Sequence, residues 1–152
     1  MKRSLLVLLL LWLVVDGSRG FAADGTVGRI KTASAPAYVM RGTETIAATA
    51  GMHVVRSDTL VTGKQGSMGV VFNDNATLAL GADTKLQLAL YEFNVEEKKA
   101  GFVARLRRGT IVYLSGLIAR MNADATRFET PVAVAGIKGT KLAIKVDGGD
   151  GE

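Results

Sequence analysis

Phe128-Glu129-Thr130-Pro131-Val132-Ala133-Val134-Ala135-Gly136-Ile137-Lys138-Gly139-Thr140-Lys141-Leu142-Ala143-Ile144-Lys145-Val146 is the stretch on which the reading of the fold turns. Phe128, Thr130, Val132 and Val134 share one parity. Beyond the second glycine, Leu142, Ile144 and Val146 alternate with Lys141, Lys145 and Asp147. Period-two alternation over this length predicts two half-buried strands. Gly136 and Gly139 bracket Ile137-Lys138, which predicts a tight corner with a positive φ or a close backbone approach, glycine being the residue that tolerates either. Pro131 lacks a ladder donor, so it belongs at a strand start or a sheet edge. Nothing in the stretch is a reaction centre.

The same alternation continues upstream. Gly25 to Ile30, Tyr38 to Met40, Val54-Val55 and Leu60-Val61 read as short strands separated by glycine or polar turns. Gly69 to Phe72 and Thr77 to Leu80 flank Asn73-Asp74-Asn75, a hairpin signal because these side chains tolerate the left-handed region and bond locally. Leu86, Leu88 and Leu90 alternate with Lys85, Gln87 and Ala89, and Phe102, Ala104 and Leu106 alternate with Val103, Arg105 and Arg107. Glu92 to Lys99 reads as a solvated loop, and Gly109 as a break before a new strand at Ile111. Leu117 to Arg127 is the one stretch suited to a helix, of two turns. About ten short strands with turn signals near every tenth residue predict an all-β domain. Glycine-cornered runs this short suit a β-roll or β-solenoid-like module, with a β-sandwich as the alternative.

Thr130-Pro131 followed by Gly136-Ile137-Lys138-Gly139-Thr140 and an alternating strand resembles the signature of the FecR domain family. Gly51, Asp58-Thr59-Leu60-Val61-Thr62-Gly63 and Gly69-Val70-Val71-Phe72-Asn73-Asp74 fit the same family in the same order, so the resemblance spans Gly25 to Val146. It implies a β-roll or β-helix-like module and marks Thr130, Pro131, Gly136, Lys138, Gly139 and Thr140 as structural signature residues. It further implies the periplasmic part of a signalling regulator. In the best-known members a membrane-anchored sigma-factor regulator senses an outer-membrane iron-siderophore transporter by protein contact. The chain is similar to the stand-alone secreted relatives.

The N-terminus supports that compartment. Lys2-Arg3 precedes an apolar run from Leu5 to Val15, broken by Gly17-Ser18 and followed by the small-x-small site Gly20-Phe21-Ala22. The run is shorter than the ~20 residues needed to span a bilayer, so residues 1–22 are expected to be a secretory signal peptide, the alternative being an N-terminal inner-membrane anchor. Residues 23–147 then form one domain, and 148–152 a flexible tail. Formal charge is +5, and losing the leader removes three cations and one anion. So mild a balance does not call for nucleic acid.

Parts for catalysis are scarce. Cysteine is absent, which removes thiol chemistry, disulfides, iron–sulfur clusters and zinc-thiolate sites. His53 is the single histidine and sits beside apolar residues. Glu92, Glu96 and Glu97 share a run with Lys98 and Lys99 and read as a solvated face rather than a glycosidase pair. Asn73-Asp74-Asn75 lacks the spacing of a calcium loop, and Gly136 to Thr140 lacks that of a phosphate loop. The expectation is a non-enzymatic protein without a cofactor.

Two features point instead to partners. Arg105, Arg107 and Arg108 read first as a solvated sheet face or edge-protecting charge, and alternatively as a basic stripe suited to an acidic partner or an anionic envelope polymer. Leu142, Ala143 and Ile144 lie in a strand expected to end the sheet with unpaired backbone groups, open to strand addition by a partner or a second copy. The partner classes are an envelope protein or membrane sensor first, and a carbohydrate or peptidoglycan second.

Overall fold

The computed structural model describes residues 25–148; the expected signal peptide and the end of the glycine-rich tail, 149–152, lie outside the described residues. Twelve strands follow in chain order: β1 (Thr26–Ser34), β2 (Ala37–Arg41), β3 (Glu44–Ala47), β4 (His53–Val55), β5 (Thr59–Thr62), β6 (Ser67–Phe72), β7 (Thr77–Leu80), β8 (Lys85–Asn94), β9 (Lys99–Leu114), β10 (Thr126–Glu129), β11 (Val134–Gly136) and β12 (Lys141–Val146). A short helix, α1 (Leu117–Met121), and a 3-10 turn at Ala123–Ala125 join β9 to β10. The fold is all-β. Its main path runs β3-β2-β5-β8-β9-β7-β6-β1-β4, with β12 and the β10–β11 hairpin added on β9. The whole forms a curled open sheet, a half-barrel.

β9 organises it. Its first half pairs with β8 on one edge and, in parallel, with β10 on the other; its second half pairs with β7 and β12. Phe102 and Tyr113 are eleven positions apart on this strand, about 36 Å in a straight one. Their rings stack at 5.4 Å. The strand therefore folds back on itself between them. Gly109 lies in that interval with φ +96, and a Cβ there would fall on Thr84. Only glycine fits both demands. Around the fold-back, Phe72, Tyr91, Phe102, Tyr113 and Phe128 form one buried aromatic cluster with neighbouring centroids 5.1 to 6.1 Å apart. Ile30, Val39, Leu60, Leu78, Leu86 and Leu106 extend the core on either side.

Several sequence expectations change here. Gly109 bends one continuous strand rather than separating two. The run from Glu92 to Lys99 is mostly hairpin, because β8 extends to Asn94 and β9 starts at Lys99. Phe128 to Val134 is not a single strand. The chain reverses at Thr130–Ala133, where Thr130 N donates to Ala133 O at 2.8 Å and Thr130 Oγ1 accepts from Ala133 N at 3.0 Å. Proline has the φ a turn wants at its second position and no donor to lose there, so Pro131 marks a turn rather than a strand start. Gly136 and Gly139 do not have positive φ, and a Cβ on either would meet nothing within 4 Å. The corner they bracket carries no demand for glycine.

Buried polar residues fasten the layers. Asp58 is fully buried and receives Arg41 Nε at 2.9 Å, Arg41 Nη2 at 2.8 Å and Val55 N at 2.9 Å. The bond to Asp58 raises the Arg41 pKa further above its ordinary value. Asp74, also fully buried, accepts from the Tyr91 hydroxyl, Ala76 N and Ile118 N, and its carbonyl accepts from Leu117 N at 2.8 Å. It thereby pins α1 to the β6–β7 turn. Thr84 Oγ1 accepts from Thr110 N at 3.0 Å, holding the turn after β7 against the bend of β9.

Candidate functional site

β10 holds β9 as far as Arg105, and β12 holds it from Gly109 onward. Residues 106–108 of that edge lie open between them. Over this gap sits a groove of about 1130 Å³. One wall is the outer face of β5, β8 and β9, through Thr59, Gln87, Lys85, Arg107 and Arg108. The other is the Thr130–Ala133 turn, Ala135 of β11, and the end of β12 from Ile144 through Gly148. Among the described residues four cations, Lys85, Arg107, Arg108 and Lys145, line it against one anion, Asp147. The apolar part is Pro131, Val132, Ala133, Ala135, Ile144 and Val146. Val132 is 92% exposed and nearby Val134 66%, so the turn holds large apolar side chains in solvent.

The ion pairs around the groove are weak ones. Arg108 meets Asp83 at 3.3 Å and Lys145 meets Asp147 at 3.0 Å, all four side chains being about half exposed or more. Pairs of this kind contribute little and exchange readily for a better partner. Among the described residues neither Arg107 nor Lys85 has an ion-pair partner.

The structure scatters the sequence-predicted residues and brings only some of them together. Thr130, Pro131, Arg107, Arg108 and Ile144 come together in the groove. Arg105 is diverted: its Nε meets Glu129 Oε2 at 2.7 Å, tying β9 to β10 beside a smaller pocket. Lys138, Gly139 and Thr140 line a separate cleft of about 180 Å³ with Ser115 and Arg120, and Gly136 ends β11 in open space. Leu142 and Ala143 lie on β12, Leu142 half-buried on the core side and Ala143 exposed. The expected sheet edge is present. Among the described residues no strand pairs with the outer side of β12.

Lys85, Gln87 and Thr59 were not among the predicted site residues. Their signal was available, since Lys85 and Gln87 share the outward parity of β8, but strand neighbours cannot be read from one strand's alternation. His53 is exposed in β4, and its carbonyl accepts from Arg41 Nη2 at 3.1 Å; among the described residues its imidazole makes no hydrogen bond.

A protein-family model, described as FecR protein, matches residues 58–152. The chain belongs to the FecR family. Searches of curated proteins and of solved structures returned no match. The FecR match begins at Asp58, the residue whose carboxylate is sealed by Arg41, and takes in both sides of the groove. β1 to β4 precede the match yet belong to the same sheet, β1 pairing with β6 and β2 with β5. FecR proteins are regulatory and signalling proteins that work with other envelope and membrane proteins, typically in the periplasm. No helix among the described residues is long and apolar enough to cross a membrane.

Proposed function

We propose that the chain is a non-enzymatic periplasmic interaction module of a FecR-type signalling system, exported by removal of residues 1–22, and that it senses a protein partner through the groove beneath the Thr130–Ala133 turn. The observation that carries this reading is the groove's composition. Exposed aliphatic side chains beside weakly engaged cations are what a protein partner with apolar and acidic groups would cover. The family supports an envelope protein as that partner. A glycan would draw on stacked aromatic rings and hydrogen-bonding amides, whereas among the described residues Gln87 is the only amide and no aromatic ring lines the groove.

A photoreactive residue placed at Val132 in living cells tests it, with Thr45 on the far edge strand β3 as control. The reading expects discrete protein adducts from Val132 that are absent from Thr45. Adducts that disappear on muramidase digestion but resist protease would make the module a peptidoglycan binder and overturn it.

A further inference from the structure

We propose that the groove is filled by an extended segment of a partner protein that adds as a strand to the outer edge of β12, with aliphatic and acidic side chains alternating along it. This rests on the protein-interaction reading above and goes further, to the mode of binding and the chemistry of the ligand.

The backbone supplies the first argument. Ser115 N donates to Thr140 O at 2.9 Å, and the β12–β9 register steps from Lys141↔Leu114 to Val146↔Gly109. Hydrogen-bonded pairs alternate in an antiparallel ladder, so Leu142, Ile144 and Val146 turn their amides and carbonyls toward β9. Lys141, Ala143 and Lys145 turn theirs outward. Three residues thus offer donors and acceptors in line, and no other strand among the described residues takes them.

The side chains supply the second. A strand added there continues both faces of β12. Its core-side residues would join half-buried Leu142, Ile144 and Val146, and extend toward Val132, where aliphatic groups fit. Its outward residues would lie beside Lys141 and Lys145, with Arg107 and Lys85 at the groove wall. Carboxylates match that charge, and a second β12 edge does not, since it would bring lysines against lysines.

Two seven-residue peptides test the proposal by amide NMR on the isotope-labelled protein: alternating Glu-Val, and alternating Lys-Val. Binding of the Glu-Val peptide is expected to slow hydrogen exchange at Ala143 and Lys145 by roughly tenfold or more. The Lys-Val peptide, the Glu-Val peptide methylated on alternate amides, and the Ala143→Pro protein should show no such protection. Shifts at Arg107 and Arg108 without protection on β12, or equal binding of the Lys-Val peptide, would overturn it. Protection present without peptide would overturn it too: loss on dilution would identify a second copy, and loss on deleting 149–152 the chain's own tail. If neither occurs and the Glu-Val peptide fails to bind while Val132 still crosslinks a protein, the strand mode falls and the interaction reading stands.

Discussion

At the residue scale, stability depends on a few polar groups placed where water cannot reach. Asp58 is fully buried, whereas the Arg41 side chain is 37% exposed, so the two halves of this pair are not equivalent. Removing Arg41 strands a buried carboxylate; removing the charge of Asp58 leaves a guanidinium able to turn to solvent. Arg41→Met should therefore cost about 3 kcal/mol, the low end of the range for breaking a buried pair, and Asp58→Asn less, as read from denaturant midpoints. Tyr113 presents the opposite case. Among the described residues, its hydroxyl and that of Thr126 are buried and find no partner of good hydrogen-bond geometry. Tyr113→Phe discards an unsatisfied group and should leave the midpoint unchanged or raise it, whereas Tyr91→Phe, which breaks the link to Asp74, should lower it by about 1–2 kcal/mol. From the sequence Asp58 stood out only within a family motif and Asp74 only within that and a hairpin signal, because a buried carboxylate and an exposed one look alike in one dimension.

At the element scale, the decisive strand is β9, and the sequence showed its alternation better than its path. Phe102, Ala104 and Leu106 announced a strand, but Gly109 read as a break where the structure has a bend. What separates them is the partner on each edge: β7, β8, β10 and β12 all hold β9, so the chain bends without leaving the sheet. The curl was illegible for the same reason, since it follows from pairings far apart in sequence. The Thr-Pro pair stood out as a family signature but not as a turn, because Val132 and Val134 kept the strand parity while lying in solvent. Two glycine substitutions check this account. Gly109→Ala combines positive φ with a collision at Thr84 and should destabilise by about 1–3 kcal/mol or more. Gly139→Ala meets open space without positive φ and should change stability by less than about 0.5 kcal/mol. A loss at Gly139 as large as at Gly109 would contradict the geometry.

At the scale of the molecule, the fold closes around its tyrosines and opens at its edges. Burial first, and the charge of Asp74 second, push the Tyr91 and Tyr113 pKa values well above the usual tyrosine range. Because the folded values exceed the unfolded one, the linked stability is fully present below pH of about 10 and is lost as pH rises through the folded values. The midpoint should thus fall in alkali, and less steeply in Tyr113→Phe. The proposed function lies on the open side, in the groove beside the free edge of β12, whose basic and apolar walls come from β5, β8, β9, β12 and the Thr-Pro turn. The most direct test is the yield of the Val132 photo-crosslink in cells carrying Lys85→Glu and Arg107→Glu together. Both side chains point to the groove and neither has an ion-pair partner among the described residues, so the fold should be unaffected. The account predicts that the protein adduct falls by about tenfold while the level and denaturation midpoint of the variant match the parent. An undiminished adduct from a folded variant would contradict it.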